Sequence, residues 1–187
     1  MKSPSAGRPR RNITCSFALG FLVLLTAPGN AQAHDAIELA GDILHVALPA
    51  TAYGMTAYHR DGAGALQYTE AAALTLGVTF TLKYTIDAER PDGGSHSFPS
   101  GHTSISFSAA EFVRKRYGRE YGLPMYALAS FVGYSRVEAE EHYVRDVLAG
   151  AAIGIASSYV FTEPYLGLQI TPEAGGGYYG LFATRLF

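Results

Sequence analysis

Three short clusters in the middle of the chain combine residue types that bind and move phosphoryl groups. Lys83 is followed, after six residues, by Arg90 and Pro91. Lys83 ends an apolar stretch and Arg90 begins a Pro/Gly loop, so two cations can converge on one point from different directions. Alone, such a pair reads as solvated or as interacting with a helix dipole. The second cluster is Pro99-Ser100-Gly101-His102, directly ahead of a helical stretch. Pro99 limits where the helix can begin, Ser100 is a good N-cap, and Gly101 lets backbone approach a ligand closely. Free N–H groups at such a helix start make an anion site, and His102 adds a titratable donor. An ordinary helix cap with a surface histidine would look the same. The third cluster is Ser135-Arg136, then His142, then Asp146. Four residues apart, His142 and Asp146 would share a helical face and could touch. A carboxylate on one imidazole nitrogen fixes the tautomer and leaves the other nitrogen free as nucleophile or base. Taken singly, that spacing is also met in surface ion pairs.

Together the clusters hold three cations, a helix N-terminus and two histidines, one of them backed by a carboxylate. This inventory suits in-line displacement at phosphorus. Positive donors neutralise the equatorial oxygens, Arg136 offers a planar fork to two of them, one histidine attacks and the other protonates the leaving alkoxide. Which histidine attacks is open from spacing alone. Metal-ligand spacing is lacking, with neither His-Glu-x-x-His nor a dense Asp/Asn cluster, so no cofactor is expected.

The elements that must position these groups read mainly as helices. Residues 36–58 are apolar with interruptions at Pro49 and Gly54, and Arg60 to Gly64 is a turn signal. Helices are predicted over 65–84, 100–117, 125–138 and 142–161, the second ending in Arg114-Lys115-Arg116, cations suited to its dipole. Gly118 and Gly122-Leu123-Pro124 should separate it from the next. Residues 165–171 and 178–187 alternate around Pro172 to Gly177, which predicts a β-hairpin appended to the helices. Each apolar run is short for a membrane span or carries a charge or proline, so a bundle that is soluble or membrane-peripheral is expected.

The N-terminus reads as a secretory signal peptide over residues 1–33. Lys2, Arg8, Arg10 and Arg11 precede an apolar stretch from Cys15 to Pro28, and Ala31-Gln32-Ala33 supplies the small residues of a cleavage site before His34. The expected organisation is therefore signal 1–33, a helical domain 34–164 and a hairpin 165–187, exported to a compartment such as a bacterial periplasm. The leader holds four of the 14 basic residues and none of the 16 acids, so the remainder is acidic and lacks a nucleic-acid footprint. The single cysteine, Cys15, leaves with it, so disulfides and thiolate metal sites are excluded from the mature chain.

Lys-x6-Arg-Pro, Pro-Ser-Gly-His and Ser-Arg-x5-His-x3-Asp, met here in order from Lys83 to Asp146, resemble the three signature motifs of the type 2 phosphatidic acid phosphatase superfamily. Bacterial acid phosphatases and vanadium haloperoxidases share that superfamily. The resemblance implies an all-α bundle and a metal-independent phosphatase. It implies phosphate-binding roles for Lys83, Arg90, Ser100, Gly101 and Arg136. His142 would form a phosphohistidine, oriented by Asp146, and His102 would protonate the leaving group. The substrate would be a phosphorylated small molecule or a lipid phosphate. The same pocket would suit vanadate in a haloperoxidase, and a non-catalytic envelope binding protein is a third reading, opposed by the intact histidines. Asp92, Ser95 and His96 could border the pocket, Glu138, Glu140 and Glu141 read as an acidic turn, and His45 and His59 read as structural.

Overall fold

The computed structural model describes residues 30–165, 168–175 and 178–185, with side chains over 34–165. The expected leader lies outside these residues as far as residue 29, and residues 30–33 already form the first turn of a helix. Five helices follow one another: α1 (Asn30–His59), α2 (Gly62–Ile86), α3 (Gly101–Tyr117), α4 (Arg119–Glu138) and α5 (Val144–Phe161). Two antiparallel strands follow, β1 (Leu168–Gly175) and β2 (Tyr178–Arg185), with Leu168 opposite Arg185 and Gly175 opposite Tyr178.

Several boundaries differ from those expected. Pro49 and Gly54 do not interrupt the first segment; α1 runs through both. Gly118 separates α3 from α4, but Gly122, Leu123 and Pro124 lie inside α4. Tertiary packing overrides the local cost of a proline in both helices. The fifth helix begins at Val144, leaving His142 in the preceding loop.

Helix α3 is the central element, packed by the other four. Its Ala109, Ala110, Phe112 and Val113 are fully buried against Leu48 and Ala52 of α1, Tyr68 of α2, and Ala129 and Val132 of α4. The contact with α5 is of another kind, made by small residues. A Cβ at Gly150 would stand 2.5 Å from the Ser100 carbonyl oxygen, and one at Gly154 would collide with that of Ser104. Only glycine permits this approach, and the hydroxyls of Ser108 and Ser158 hydrogen-bond across it at 2.8 Å. This seam brings the start of α5 against the start of α3. A similar approach at Gly41 seats α1 on Ser135 of α4.

The far end is held by a buried ion pair. Asp61 caps α2 by accepting from the Gly64 N–H and takes Nε and Nη2 of Arg116 at 2.7 and 2.6 Å. Arg116, read from sequence as one of three cations suited to the dipole of α3, is thus also an internal clamp. Large apolar side chains remain outside the bundle on several helices, including Leu74, Leu76 and Phe80 of α2 and Leu148, Tyr159 and Val160 of α5. Among the described residues, α5 is the one helix long and apolar enough to cross a membrane, and 28% of it is buried in the bundle.

Candidate active site

The start of α3 sets the site. Ser100 is the N-cap, with Oγ accepting from the Thr103 hydroxyl at 3.0 Å, and its own N–H donates to the Asp146 carbonyl at 3.0 Å. The Lys83 stem runs past Gly101, where an added Cβ would lie 3.9 Å from Lys83 Cε. Lys83 Nζ donates to the His96 carbonyl at 2.5 Å. Arg90 turns with Gly94, its N–H donating to that carbonyl at 2.7 Å, while its Nε is buried without a partner. A buried guanidinium N–H with no acceptor is costly, and an anion would relieve it.

Arg136 comes from the last turn of α4 and is 1% exposed. Its guanidinium is met by protein groups on all three nitrogens. Nη2 donates to the Glu38 carbonyl at 2.8 Å, Nε to Ser135 Oγ at 3.3 Å, and Nη1 lies 2.9 Å from Asp42 Oδ1 and 3.3 Å from Glu141 Oε2.

His142 and Asp146 are buried together, but not as successive turns of one helix. The loop after α4 folds back so that the His142 N–H donates to the Arg136 carbonyl at 3.2 Å. Asp146 sits in the first turn of α5 and accepts from the Tyr143 N–H at 3.0 Å. Its Oδ2 is 3.8 Å from His142 Nδ1, beyond hydrogen-bond reach. Ser97 fills the interval, donating to Asp146 Oδ2 at 2.5 Å and standing 3.5 Å from His142 Nδ1. Nδ1 therefore faces the carboxylate side, and Nε2 is left for chemistry.

The electrostatics tie both imidazoles to one group of charges. Burial, then Lys83 and Arg90, lower the His142 pKa to about 4 against the opposing pull of Asp146 and Glu141. Burial, then His45 and Arg136, lower His102 to about 4, with Asp42 opposing and Lys83 adding to the shift. Lys83 thus acts on both rings, and both are neutral near pH 7. A neutral His142 keeps the lone pair that a nucleophile needs.

The eight residues expected at the site come from the end of α2 and the loop after it, the start of α3, the end of α4, and the loop before α5 with its first turn. The loop residues Asp92, Ser95 and His96 contribute differently. His96 offers its backbone carbonyl to Lys83, while its ring turns to Ser95 and Asp87; Asp92 ties the loop to the Glu140 carbonyl. Three residues were missed. Ser97 carries no sequence signal beyond being a polar loop residue. Asp42 and His45, three apart in an otherwise apolar stretch, would share a helical face. His45 is not merely structural: its ring centroid is 4.0 Å from that of His102, and Asp42 Oδ1 is 3.5 Å from His102 Nε2. These three offer metal-ligating atoms within 4.8 Å of one another, a grouping invisible to linear spacing. The Arg136 charge beside Asp42 opposes a dication there.

Comparison with known proteins places these features in a family. The model of the PAP2 superfamily matches residues 93–165. A lipid A 4'-phosphatase of Helicobacter pylori is 32% identical over 167 residues, covering 83% of each chain. A lipid A 1-phosphatase of Porphyromonas gingivalis is 38% identical over 104 residues, 49% of this chain and 23% of that protein's length. Among solved structures, the first transmembrane PAP2 type phosphatidylglycerolphosphate phosphatase from Bacillus subtilis superposes with a TM-score of 0.56 at 25% identity, covering 74% of this chain and 78% of that one. The likeness rests on the helices and lends the C-terminal hairpin no support.

Proposed function

Because the chain belongs to the PAP2 superfamily, we propose that it hydrolyses the phosphate monoester of an envelope lipid through a phosphohistidine on His142. The observation that carries this reading is that the buried His142 and the part-buried His102, both neutral, stand at one site with Lys83 and Arg136, where Arg90 brings a buried Nε without a partner. Lys83, Arg90, Arg136, Ser100 and the Gly101 N–H take the non-bridging oxygens. Nε2 of His142 attacks phosphorus as the bond to the leaving oxygen breaks. Asp146, with Ser97 between, stabilises the imidazolium that forms. His102 gives its proton to the leaving alkoxide, then takes one from the water that attacks the phosphoryl group. The P–N bond breaks and inorganic phosphate departs. None of these steps requires a metal.

A lipid substrate is supported by two observations. The similar proteins are named for lipid A, and apolar side chains face outward on α2 and α5 beside the site. Those faces suit a chain seated in a membrane rather than the soluble bundle read from sequence. The leader supports export, with the site on the outer side of the cytoplasmic membrane; cleavage after residue 33 would trim the first turn of α1.

The test is single-turnover hydrolysis of a radiolabelled lipid phosphate by the full chain in detergent, with excess chelator. Acid-labile, base-stable label on the protein, absent in His142→Ala, is the expected result. Turnover without labelled protein in a rapid quench, or turnover retained by His142→Ala, would overturn the nucleophile. Phosphatidate, phosphatidylglycerolphosphate and lipid A compared side by side identify the lipid.

A further inference from the structure

The mechanism leaves one acidic group of the site unused, the carboxylate of Asp42 on α1, whose side chain is 43% exposed. Its Oδ1 is shut off from solvent and makes no well-formed hydrogen bond, although it lies 2.9 Å from Arg136 Nη1 and 3.5 Å from His102 Nε2. The contact to Arg136 is one of charge with poor angular geometry. A buried carboxylate oxygen in that condition lacks a donor, and the two groups within reach are both cations during turnover.

We propose that Asp42 is a positioning residue shared between Arg136 and His102: it pairs with the guanidinium before phosphate binds and holds the His102 imidazolium once phosphate has claimed Arg136. The proposal rests on the reading of His102 as general acid. Substrate phosphate is a better partner for Arg136 than Asp42 is, because its oxygens can meet the planar fork in line. The displaced carboxylate is then left facing Nε2 of His102. An N–H held at Nε2 leaves Nδ1–H for the leaving oxygen, and the carboxylate stabilises the charged ring until that proton departs. The gap of 3.5 Å is long for a hydrogen bond, as expected of a catalytic contact before substrate closes it. The other groups facing His102 are His45, packed against its ring, Arg136 and Lys83. All three disfavour a proton on it, so Asp42 is the one neighbour among these that favours the charged form. Gly41 fixes the arrangement by letting α1 sit directly on Ser135, one residue before Arg136.

Two effects of Asp42→Asn follow, and they run in opposite directions. Product phosphate should bind several-fold tighter, because Arg136 is no longer occupied by a charge. Turnover should fall, and the fall should depend on the leaving group. An alkyl ester such as phosphatidate needs its oxygen protonated and should lose about tenfold or more of its kcat. A 4-nitrophenyl ester leaves without help and should lose far less. Glu141→Gln relieves Arg136 without touching His102, so it should tighten phosphate while leaving the ratio of the two substrates as in the wild type.

The experiment measures kcat for micellar phosphatidate and 4-nitrophenyl phosphate, with the inhibition constant of inorganic phosphate, in full-length wild type, Asp42→Asn, Glu141→Gln, His102→Asn and the Asp42→Asn/His102→Asn double variant. The expected result is a depressed alkyl-to-aryl ratio in Asp42→Asn, and a double variant no worse than His102→Asn alone. An equal loss on both substrates with weaker phosphate binding would overturn the proposal and make Asp42 an anchor of α1. If His102→Asn itself leaves the ratio unchanged, the general-acid reading fails first, and the role of Asp42 falls with it.

Discussion

The Asp146 carboxylate stands 3.8 Å from Nδ1 of His142, and the hydroxyl of Ser97 is closer to each than they are to one another. Ser97 is therefore expected to hold the orientation of both. Ser97→Ala should lower kcat by roughly tenfold with little change in KM, and cost about 1 kcal/mol of stability for the lost buried hydrogen bond. Steady-state kinetics with thermal unfolding of the same sample checks this. Unchanged kcat would mean that Asp146 orients His142 unaided.

Arg90 and Arg136 should separate binding from stability. Arg90 has a buried Nε without a partner, so Arg90→Ala should raise the inhibition constant of phosphate by about tenfold or more while stability is kept or gained. Arg136→Ala removes the hydrogen bonds to the Glu38 carbonyl and Ser135 Oγ and leaves the part-exposed Asp42 and Glu141 without their cation, and should cost about 2 kcal/mol as well as activity. Denaturant melts with phosphate inhibition constants distinguish the two; equal stability losses would contradict the assignment.

The pH profile should lie on the acid side. His142, lowered to about 4 chiefly by burial, keeps its lone pair down to that pH. His102, also lowered to about 4, is unprotonated in the free enzyme above it, so the proton for the leaving group must arrive with the monoanionic substrate. Phosphate monoesters lose that proton near pH ~6. The profile of kcat/KM should therefore peak between about 4 and ~6 and decline on both sides. A plateau extending above neutrality would show that His102 holds its proton without substrate.

Stability should follow the same residues with its own sign. A histidine whose folded pKa is below the unfolded value of 6.5 leaves the unfolded chain binding more protons between those limits. The contribution of His142 is complete above 6.5 and is lost as pH falls toward 4. His142→Gln should flatten this part of the curve of melting temperature against pH.

The glycine seam should be intolerant of any side chain. Gly154→Val places atoms onto the Ser104 carbonyl and should cost about 3 kcal/mol, or roughly 6–12 °C in Tm. Gly77→Ala in α2 meets nothing within 4 Å and should instead stabilise by up to about 0.8 kcal/mol through helix propensity. Similar Tm values for the two would mean that α3 and α5 do not pack as closely as described.

Much of the site was legible because its residues are fixed by local chemistry. Ser100 was expected as an N-cap and is one, since a side-chain oxygen ahead of a helix has a donor to meet within three residues. The helical pattern after Pro99 was equally local. By contrast, His142 and Asp146 were expected on one helix face, and the chain turns instead at Glu140, whose φ of 55° is unusual for a residue with a side chain. A residue that adopts a left-handed turn only because its neighbours demand it gives no sign of that in its type. Pro49 and Pro124 misled for the same reason.

From sequence alone came the inventory: three cations, two imidazoles, a carboxylate and a helix start, in an order that matches one family. Spacing can specify such features because each depends on residues within a turn or two of one another. Tertiary structure alone decided that Ser97 stands between His142 and Asp146, that Asp42 is divided between Arg136 and His102, and that Arg116 is a buried clamp. Those contacts join residues 45 to 94 positions apart, and they depend on how closely helices may cross. Here that closeness is set by the lack of a side chain at Gly41, Gly150 and Gly154, a property of packed pairs that no single segment expresses.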